Sequence, residues 1–469
     1  MRAYAGIDVG TTNVKAVIVD LNGRALARRS EPTPRRNDEF GVCSDPAEIV
    51  ATVERLVTQA FGDAELREPL AAICATGTGE DGVIVDPTGR PQGLAIAWFD
   101  DRATDDAREL RSTTAAYQAR TGLEIERLHT LAKWRWLSRR PGFRREMDGV
   151  WIALTDYPAY TWTRRPFMSE TLAVRTAAYD CVDRRWIVPL LDRVSAPPVP
   201  PVVAAGRAVG TVVAGPLLSA AIVDYSTVVA AGGHDHPIAA SAILAGDRTA
   251  VLDSMGTAEL VYALTDAPFD ERPAPRYVSR SVPVDGGTGS ACLGPFEFTW
   301  QLERLMADAS PRANALRATI AGAALPGTPG ASGRLFFPLD AESDAEAFAA
   351  EHTDALWARA LLEGYALHTR RILEAVVAAS GARGPVYTTG GWTNASTLVK
   401  LRADVFAIPL FVVDEPQLAA YGAARCALRA VGIDNGEPRI TASRVDNDAP
   451  LVPVYDRAYA IYKAHVDRS

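Results

Sequence analysis

The segment from Tyr4 to Asp20 (YAGIDVGTTNVKAVIVD) constrains this chain more than any other. An apolar run leads to Asp8, Gly10-Thr11-Thr12 follows, and Val14 to Val19 resumes as a β-branched run. Asp20-Leu21-Asn22-Gly23 then carries a hairpin turn signature. The pattern predicts two strands joined by a tight, hydroxyl-rich turn. Backbone N–H groups and hydroxyls would converge there on one small space, which suits phosphate oxygens. A carboxylate at the end of a buried strand is costly unless it holds a cation, so Asp8 is expected to face Mg²⁺. Asp-x-Gly-Thr also occurs in ordinary turns, and the rest of the chain has to decide between the two readings.

At 469 residues the chain exceeds one ordinary core, and two or three domains are expected. With 48% apolar and 23% charged residues it reads as globular, without biased segments. A net charge of −8, uncompensated by any Lys/Arg run, argues against nucleic acid or an anionic membrane as partner. Cys43, Cys74, Cys181, Cys292 and Cys426 are scattered without C-x-x-C spacing, which points to a reducing compartment and no structural zinc. Met1-Arg2-Ala3 runs straight into strand-like sequence, and no stretch approaches the length of a membrane span. A cytoplasmic protein is expected.

Ser44-Asp45-Pro46 opens a helix striped by Ile49, Val50, Val53, Leu56 and Val57 and closed at Gly62. Leu70 to Thr76 reads as a buried strand running into Gly77-Thr78-Gly79-Glu80-Asp81-Gly82. This matches G-x-G-x-x-G, but the dinucleotide fingerprint needs a helix next, and Val83 to Pro87 reads as strand and turn. A loop with two carboxylates and little bulk suits a small polar ligand instead. Trp98-Phe99-Asp100-Asp101-Arg102 ends another strand; indole, carboxylate and guanidinium together suit a polyhydroxylated ligand, or else a surface helix cap with an ion pair. Lys133-Trp134-Arg135-Trp136-Leu137 lies in a helical stretch and reads as packing.

Ala231-Gly232-Gly233-His234-Asp235-His236-Pro237 carries a strand into a small-residue helix, which places Asp235 as a general base. His234 and His236, with no third ligand nearby in sequence, give little ground for a metal. Then the opening pattern recurs: in Leu252 to Val261, Gly256-Thr257 matches Gly10-Thr11 and Ser254 replaces Asp8. Two such hairpins imply a duplicated architecture with a boundary near Leu244 to Asp247. Leu335 to Pro338 reads as a strand, Thr353 to Ala379 as a long helix, and Val386 to Asn394 as strand, diglycine turn and helix start. Asp414-Glu415-Pro416 caps a last small-residue helix, Leu418 to Val431.

These pieces, in this order, resemble the FGGY carbohydrate kinases of the actin-like ATPase superfamily, xylulose kinases among them. Ile7 to Thr12 looks like the family's first phosphate motif and Asp253 to Thr257 like its second. Gly390-Gly391-Trp392-Thr393-Asn394 with Ala403-Asp404-Val405 looks like its adenosine motif, and Thr130 to Leu137 like its P-x-x-K-h-x-W-h signature. Gly232-Gly233-His234-Asp235 matches the segment of its catalytic aspartate, and Trp98-x-Asp100-x-Arg102 its sugar-binding element. The resemblance implies an α/β fold of two duplicated actin-like (ribonuclease H-like) domains, 1–244 and 245–469, about a central cleft. It implies ATP-dependent phosphorylation of a small sugar, a ketose or polyol, with ATP and Mg²⁺ bound and a homodimer as the candidate assembly. Asp235 would be the base and Asp8 the metal ligand. Thr11, Thr12, Lys15, Gly256, Thr257, Gly390, Gly391 and Asn394 would meet the nucleotide. Gly79, Glu80, Trp98, Asp100, Arg102, Asp235 and His236 would meet the sugar.

Departures from the pattern concern the substrate. Gly79-Glu80-Asp81 stands where xylulose kinases carry Met-His-Gly, and His236 where Asn often follows the base. Met168 to Ala173 lacks the usual Asp-x-Ser-x-Ala, although Arg175 and Asp180 fit, and Trp392 replaces the third glycine of the adenosine motif. A superfamily ATPase or acid kinase, and a nucleotide-dependent regulatory protein, are the competing readings.

Overall fold

The computed structural model describes residues 2–141, 143, 149–256, 259–272, 274–296, 298–322, 324–330, 353–433 and 440–467. Strand β1 (Ala3–Val9) pairs antiparallel with β2 (Asn13–Asp20), from Ala3 opposite Asp20 to Val9 opposite Val14, leaving Gly10-Thr11-Thr12 at the tip. Two bonds pin that tip: Gly10 N donates to Asn13 O at 3.2 Å, and Thr33 Oγ1 to Gly10 O at 2.7 Å. β3 (Ala25–Pro32) continues the meander. Helix α1 (Pro46–Asp63) is capped by Asp45, whose carboxylate accepts from Ala47 N, and it buries Ile49, Val53, Leu56 and Val57. That stripe packs on β2 and β3. β4 (Ala72–Gly77), β5 (Ala208–Thr211) and β6 (Val228–His234) complete a sheet of order β5-β6-β4-β1-β2-β3, in which β4 runs parallel to both β1 and β6. β6 turns directly into α2 (Asp235–Leu244).

The second sheet repeats this plan. β7 (Val251–Met255) and β8 (Glu259–Thr265) form a hairpin, followed by β9 (Ser279–Ser281), β10 (Ser290–Phe296), β11 (Val386–Thr389), β12 (Leu410–Val413) and β13 (Ala442–Val445). The order is β9-β10-β8-β7-β11-β12-β13, with β11 parallel to β7 and β12. In each sheet three antiparallel strands are extended by two parallel ones, β3-β2-β1-β4-β6 and β10-β8-β7-β11-β12. This is the duplicated α/β architecture that the repeat implied, and the actin-like one that the resemblance implied.

Helix α3 (Asp354–Ser380) starts at Thr353, whose hydroxyl accepts from Leu356 N, ends at Gly381 and covers β8 and β10. α4 (Ser396–Phe406) follows a short 3₁₀ turn, Gly391–Asn394. α5 (Leu418–Ala430) crosses back onto the first sheet, packing against β1 and α2. Small residues make that crossing feasible. A Cβ on Gly6 would sit 2.0 Å from Ala420 O, and one on Gly422 2.4 Å from Ile238 O. One buried cluster therefore joins Tyr4, Val17 and Ile238 to Leu252, Tyr262 and Tyr421.

Gly82–Val85 is a strand, so the glycine-rich loop lacks the helix that a dinucleotide fingerprint requires. All five cysteines are buried and unpaired. Among the described residues, no helix is long and apolar enough to cross a membrane. The strand expected at Leu335 to Pro338 lies outside the described residues, as does Thr257.

Candidate active site

The C-terminal ends of β1, β4, β6, β7 and β11 open into one cavity of about 690 Å³ between the sheets. Ligand sites in α/β proteins form at this end of parallel strands. Its wall includes Asp8, Thr11, Thr12, Lys15, Gly79, Glu80, Trp98, Asp235, His236, Gly256, Gly390 and Gly391, residues that lie far apart in sequence.

Asp8 stands at the end of β1 and is 3% exposed. Its Oδ2 accepts from Lys15 Nζ at 3.2 Å, while Oδ1 is buried without a hydrogen-bond partner among the described residues. Burial raises the Asp8 pKa, Lys15 opposes it, and the charge of Asp235 adds to it. An oxygen so placed suits a cation.

Asp235 begins α2, where β6 delivers it to the cavity floor. The backbone around it is fixed by Thr76 Oγ1 donating to Gly233 O at 2.7 Å and His234 N donating to Thr171 Oγ1 at 2.9 Å. Asp235 Oδ1 accepts from His236 N at 2.7 Å and faces His236 Nδ1 at 3.0 Å and His234 Nε2 at 3.4 Å. Burial pushes the Asp235 carboxyl up, but His236 and His234 outweigh it and hold the group below the usual carboxylate range. Burial lowers His234 to about 4. At neutral pH Asp235 is therefore ionised.

Trp98 and Glu80 meet at another wall. Trp98 Nε1 donates to Thr11 Oγ1 at 2.9 Å, tying this wall to the first hairpin tip. Glu80 Oε1 accepts from Arg175 Nε at 2.6 Å, and both residues line the cavity. Arg175 fits the family pattern by its position, but its spacing from Glu80 in the sequence gives no sign that they pair. The loop beneath is held by Lys133, fully buried, whose Nζ donates to Glu80 O and Ile96 O at 3.3 Å each. Lys133 is thus part of the support for this wall and not mere packing. The exception in the tryptophan element is its charged pair. Asp100 and Arg102 do not line the cavity: Arg102 Nε donates to Asp100 Oδ1 at 2.7 Å and its Nη1 to Asp38 Oδ2 at 2.9 Å, beside the rings of Trp136 and Phe40. The ion-pair alternative describes them, in a buried form.

On the second sheet, Ser254, Gly256 and Glu259 face the cavity. Gly390 turns with φ +105°, and a Cβ there would lie 2.3 Å from Met255 O, so the diglycine turn rests on the second hairpin tip. A Cβ on Gly391 would meet nothing within 4 Å, which leaves open space for a ligand. Asn394 does not line the large cavity; with Met306 and Ile320 it lines a neighbouring one of about 480 Å³, which shares Gly391 and Trp392 with the first.

Fold and site together define a phosphotransferase of the actin-like ATPase class. The family model described as "FGGY family of carbohydrate kinases, N-terminal domain" matches residues 3–242, and its C-terminal counterpart matches 300–431. The chain belongs to the FGGY family of carbohydrate kinases. It is 24% identical over 486 residues to the xylulose kinase of Staphylococcus epidermidis, covering 98% of this chain and 95% of that one. It is 28% identical to the glycerol kinase of Haloarcula marismortui over 214 residues, 41% of this chain and 42% of that protein. The crystal structure of xylulose kinase from Rhodospirillum rubrum superposes with a TM-score of 0.82 at 23% identity, covering 100% of this chain and 99% of that one.

Proposed function

We propose that this chain transfers the γ-phosphoryl group of ATP to a hydroxyl of a small neutral sugar, a ketose such as a pentulose or else a polyol. The observation that carries the reading is that Asp235, the uncommitted oxygen of Asp8, the second hairpin tip and the Trp98/Glu80 wall share one cavity. Asp235 takes the proton of the attacking hydroxyl, work typically worth about 10²–10⁴ in rate. Thr11, Thr12 and Lys15 on one tip, and Gly256 on the other, bind and orient the phosphates, with Thr257 assigned there by its motif. Gly390 and Gly391 border the nucleoside, and Asn394 its far end. Asp8 would hold Mg²⁺, which when bound would supply positive charge beside the phosphoryl oxygens. Gly79, Glu80, Trp98 and His236 contact the sugar, while Arg102 and Asp100 pair with each other outside the cavity.

A neutral acceptor is supported by the charge count around this wall. Arg175 is matched by Glu80, Lys15 by Asp8 and Arg280 by Asp270, so among the described lining residues these cations already have carboxylate partners. Relatives named for xylulose and for glycerol agree with such a substrate. Residues 1–244 would form the lobe that carries sugar site, first phosphate hairpin and base, and 245–469 the lobe that carries the second hairpin and nucleoside turn, in a cytoplasmic enzyme whose candidate assembly is a homodimer.

A coupled ADP-release screen over pentuloses, hexuloses, tetruloses and alditols tests the reading. Asp235→Asn should abolish transfer while ATP still binds by calorimetry; near-normal turnover would remove Asp235 as base. ATP turnover independent of any sugar would favour an ATPase, and ATP binding without transfer a regulatory protein.

A further inference from the structure

The second hairpin carries a buried cluster of three charged residues, where the first carries the pair Asp8 and Lys15. Asp253 and Met255 share one face of β7, and Glu259 lies opposite Met255, so both carboxylates emerge on the same side. Arg402 reaches them from α4. Its Nη1 donates to Asp253 Oδ1 and Oδ2 at 2.6 and 2.8 Å, and its Nη2 to Glu259 Oε2 at 2.6 Å. Thr369 Oγ1 of α3 donates to Glu259 Oε1 at 2.9 Å. The side chains of Arg402, Asp253 and Glu259 are at most 4% exposed, yet Glu259 reaches the cavity wall beside Gly256.

One guanidinium fork thus grips both arms of the hairpin across its tip. The helix that supplies it, α4, starts directly after the diglycine turn, which itself rests on Met255 and Gly256. Tip and turn are therefore tied twice, by backbone contact at Gly390 and by the Arg402 fork behind. A planar fork fixes orientation in a way that a point charge does not.

We propose that Arg402 is a positioning residue for the nucleotide: by clamping Asp253 and Glu259 to α4, it keeps the second phosphate tip and the nucleoside turn in one fixed spacing. This rests on the ATP reading above. The clamp acts on the nucleotide end alone, because the Glu80/Arg175 wall belongs to the other sheet's side of the cavity.

The test separates the two Michaelis constants. Arg402→Lys keeps charge but loses the fork. The triple variant Asp253→Asn/Glu259→Gln/Arg402→Met removes all three charges, so that no stranded carboxylate drives unfolding. In both, the KM for ATP and calorimetric ADP affinity should weaken, by about tenfold or more in the triple variant, while sugar KM stays within about twofold of wild type. Unchanged ATP KM in a folded variant overturns the clamp, as does a parallel rise of both constants with a fall in thermal midpoint, the mark of a merely structural role. Should the triple variant not fold, the lysine variant is read by the same criteria. A wild-type protein that binds no ATP would instead fell the functional reading itself, and the clamp with it.

Discussion

Gly6→Ala is the most informative single perturbation of how this fold carries its site. The added Cβ would lie 2.0 Å from Ala420 O and 2.2 Å from Ala424 N, both backbone atoms of α5 that no rotamer change can move aside. Ordinary contact begins at 3.4 Å, so helix or strand must withdraw by about 1.4 Å. Overpacking of a tight core costs roughly 1–3 kcal/mol, and a rigid backbone obstacle puts this case near the upper figure, about 3 kcal/mol. Alanine restricts the unfolded chain and returns about 0.4–1 kcal/mol. The net expectation is a loss of about 2 kcal/mol. Asp8 lies two residues further along β1, so turnover should fall as well. Urea unfolding followed by tryptophan fluorescence measures the first, and the ADP-release assay the second. Gly62→Ala is the control: its Cβ meets nothing within 4 Å and it sits in α1, so the same substitution should stabilise by roughly 0.5 kcal/mol. A Gly6→Ala protein as stable and as active as wild type would refute the claim that α5 is seated on β1 by the missing side chain.

Two further expectations follow from side chains that the cavity does not use. Arg102→Met strands the buried Asp100 carboxylate and breaks the bonds to Asp38, which should cost about 3 kcal/mol in urea melts; sugar KM of the folded fraction should not move, and a selective rise in it would return Arg102 to the sugar site. His368 is buried against Tyr462 at 2.7 Å, and burial lowers it to about 4. Because the folded value lies below the unfolded one, the unfolded chain binds the extra proton, and stability is full above about pH 6.5 and falls as pH drops toward 4. Between pH 7 and 5 wild type should lose about 2 kcal/mol relative to His368→Gln, and equal slopes in urea melts at the two pH values would contradict the assignment.

Local chemistry made much of this fold legible. Gly10-Thr11-Thr12 between apolar runs, Asp45 before Pro46, and Thr353 at the start of a long helix are signals complete within a few residues, and each appears where expected. Asp235 was legible for the same reason: two glycines and a proline bracket a strand-to-helix turn. Side chains whose direction depends on a distant partner were not. Arg102 shares a short element with Trp98, which lines the cavity, but Asp38, some sixty residues earlier, draws its guanidinium away from that cavity. Arg175 and Glu80 pair across a still longer separation of 95 positions, and nothing near either position announces the other.

The two hairpins show how one residue of register separates a carboxylate that faces the cavity from one held in a core ion pair. Asp8 and Ser254 both lie two residues before the tip glycine, and both face the cavity. Asp253 sits one residue earlier, in the position of Ile7. Because side chains alternate along a strand, that single step turns its carboxylate from the cleft into the interior. There it can persist only with a cation of its own, and Arg402 supplies it. The first copy keeps its charge toward the cavity and leaves Asp8 Oδ1 without a hydrogen-bond partner among the described residues; the second presents a serine to the cavity and spends its charge on holding the hairpin to α4.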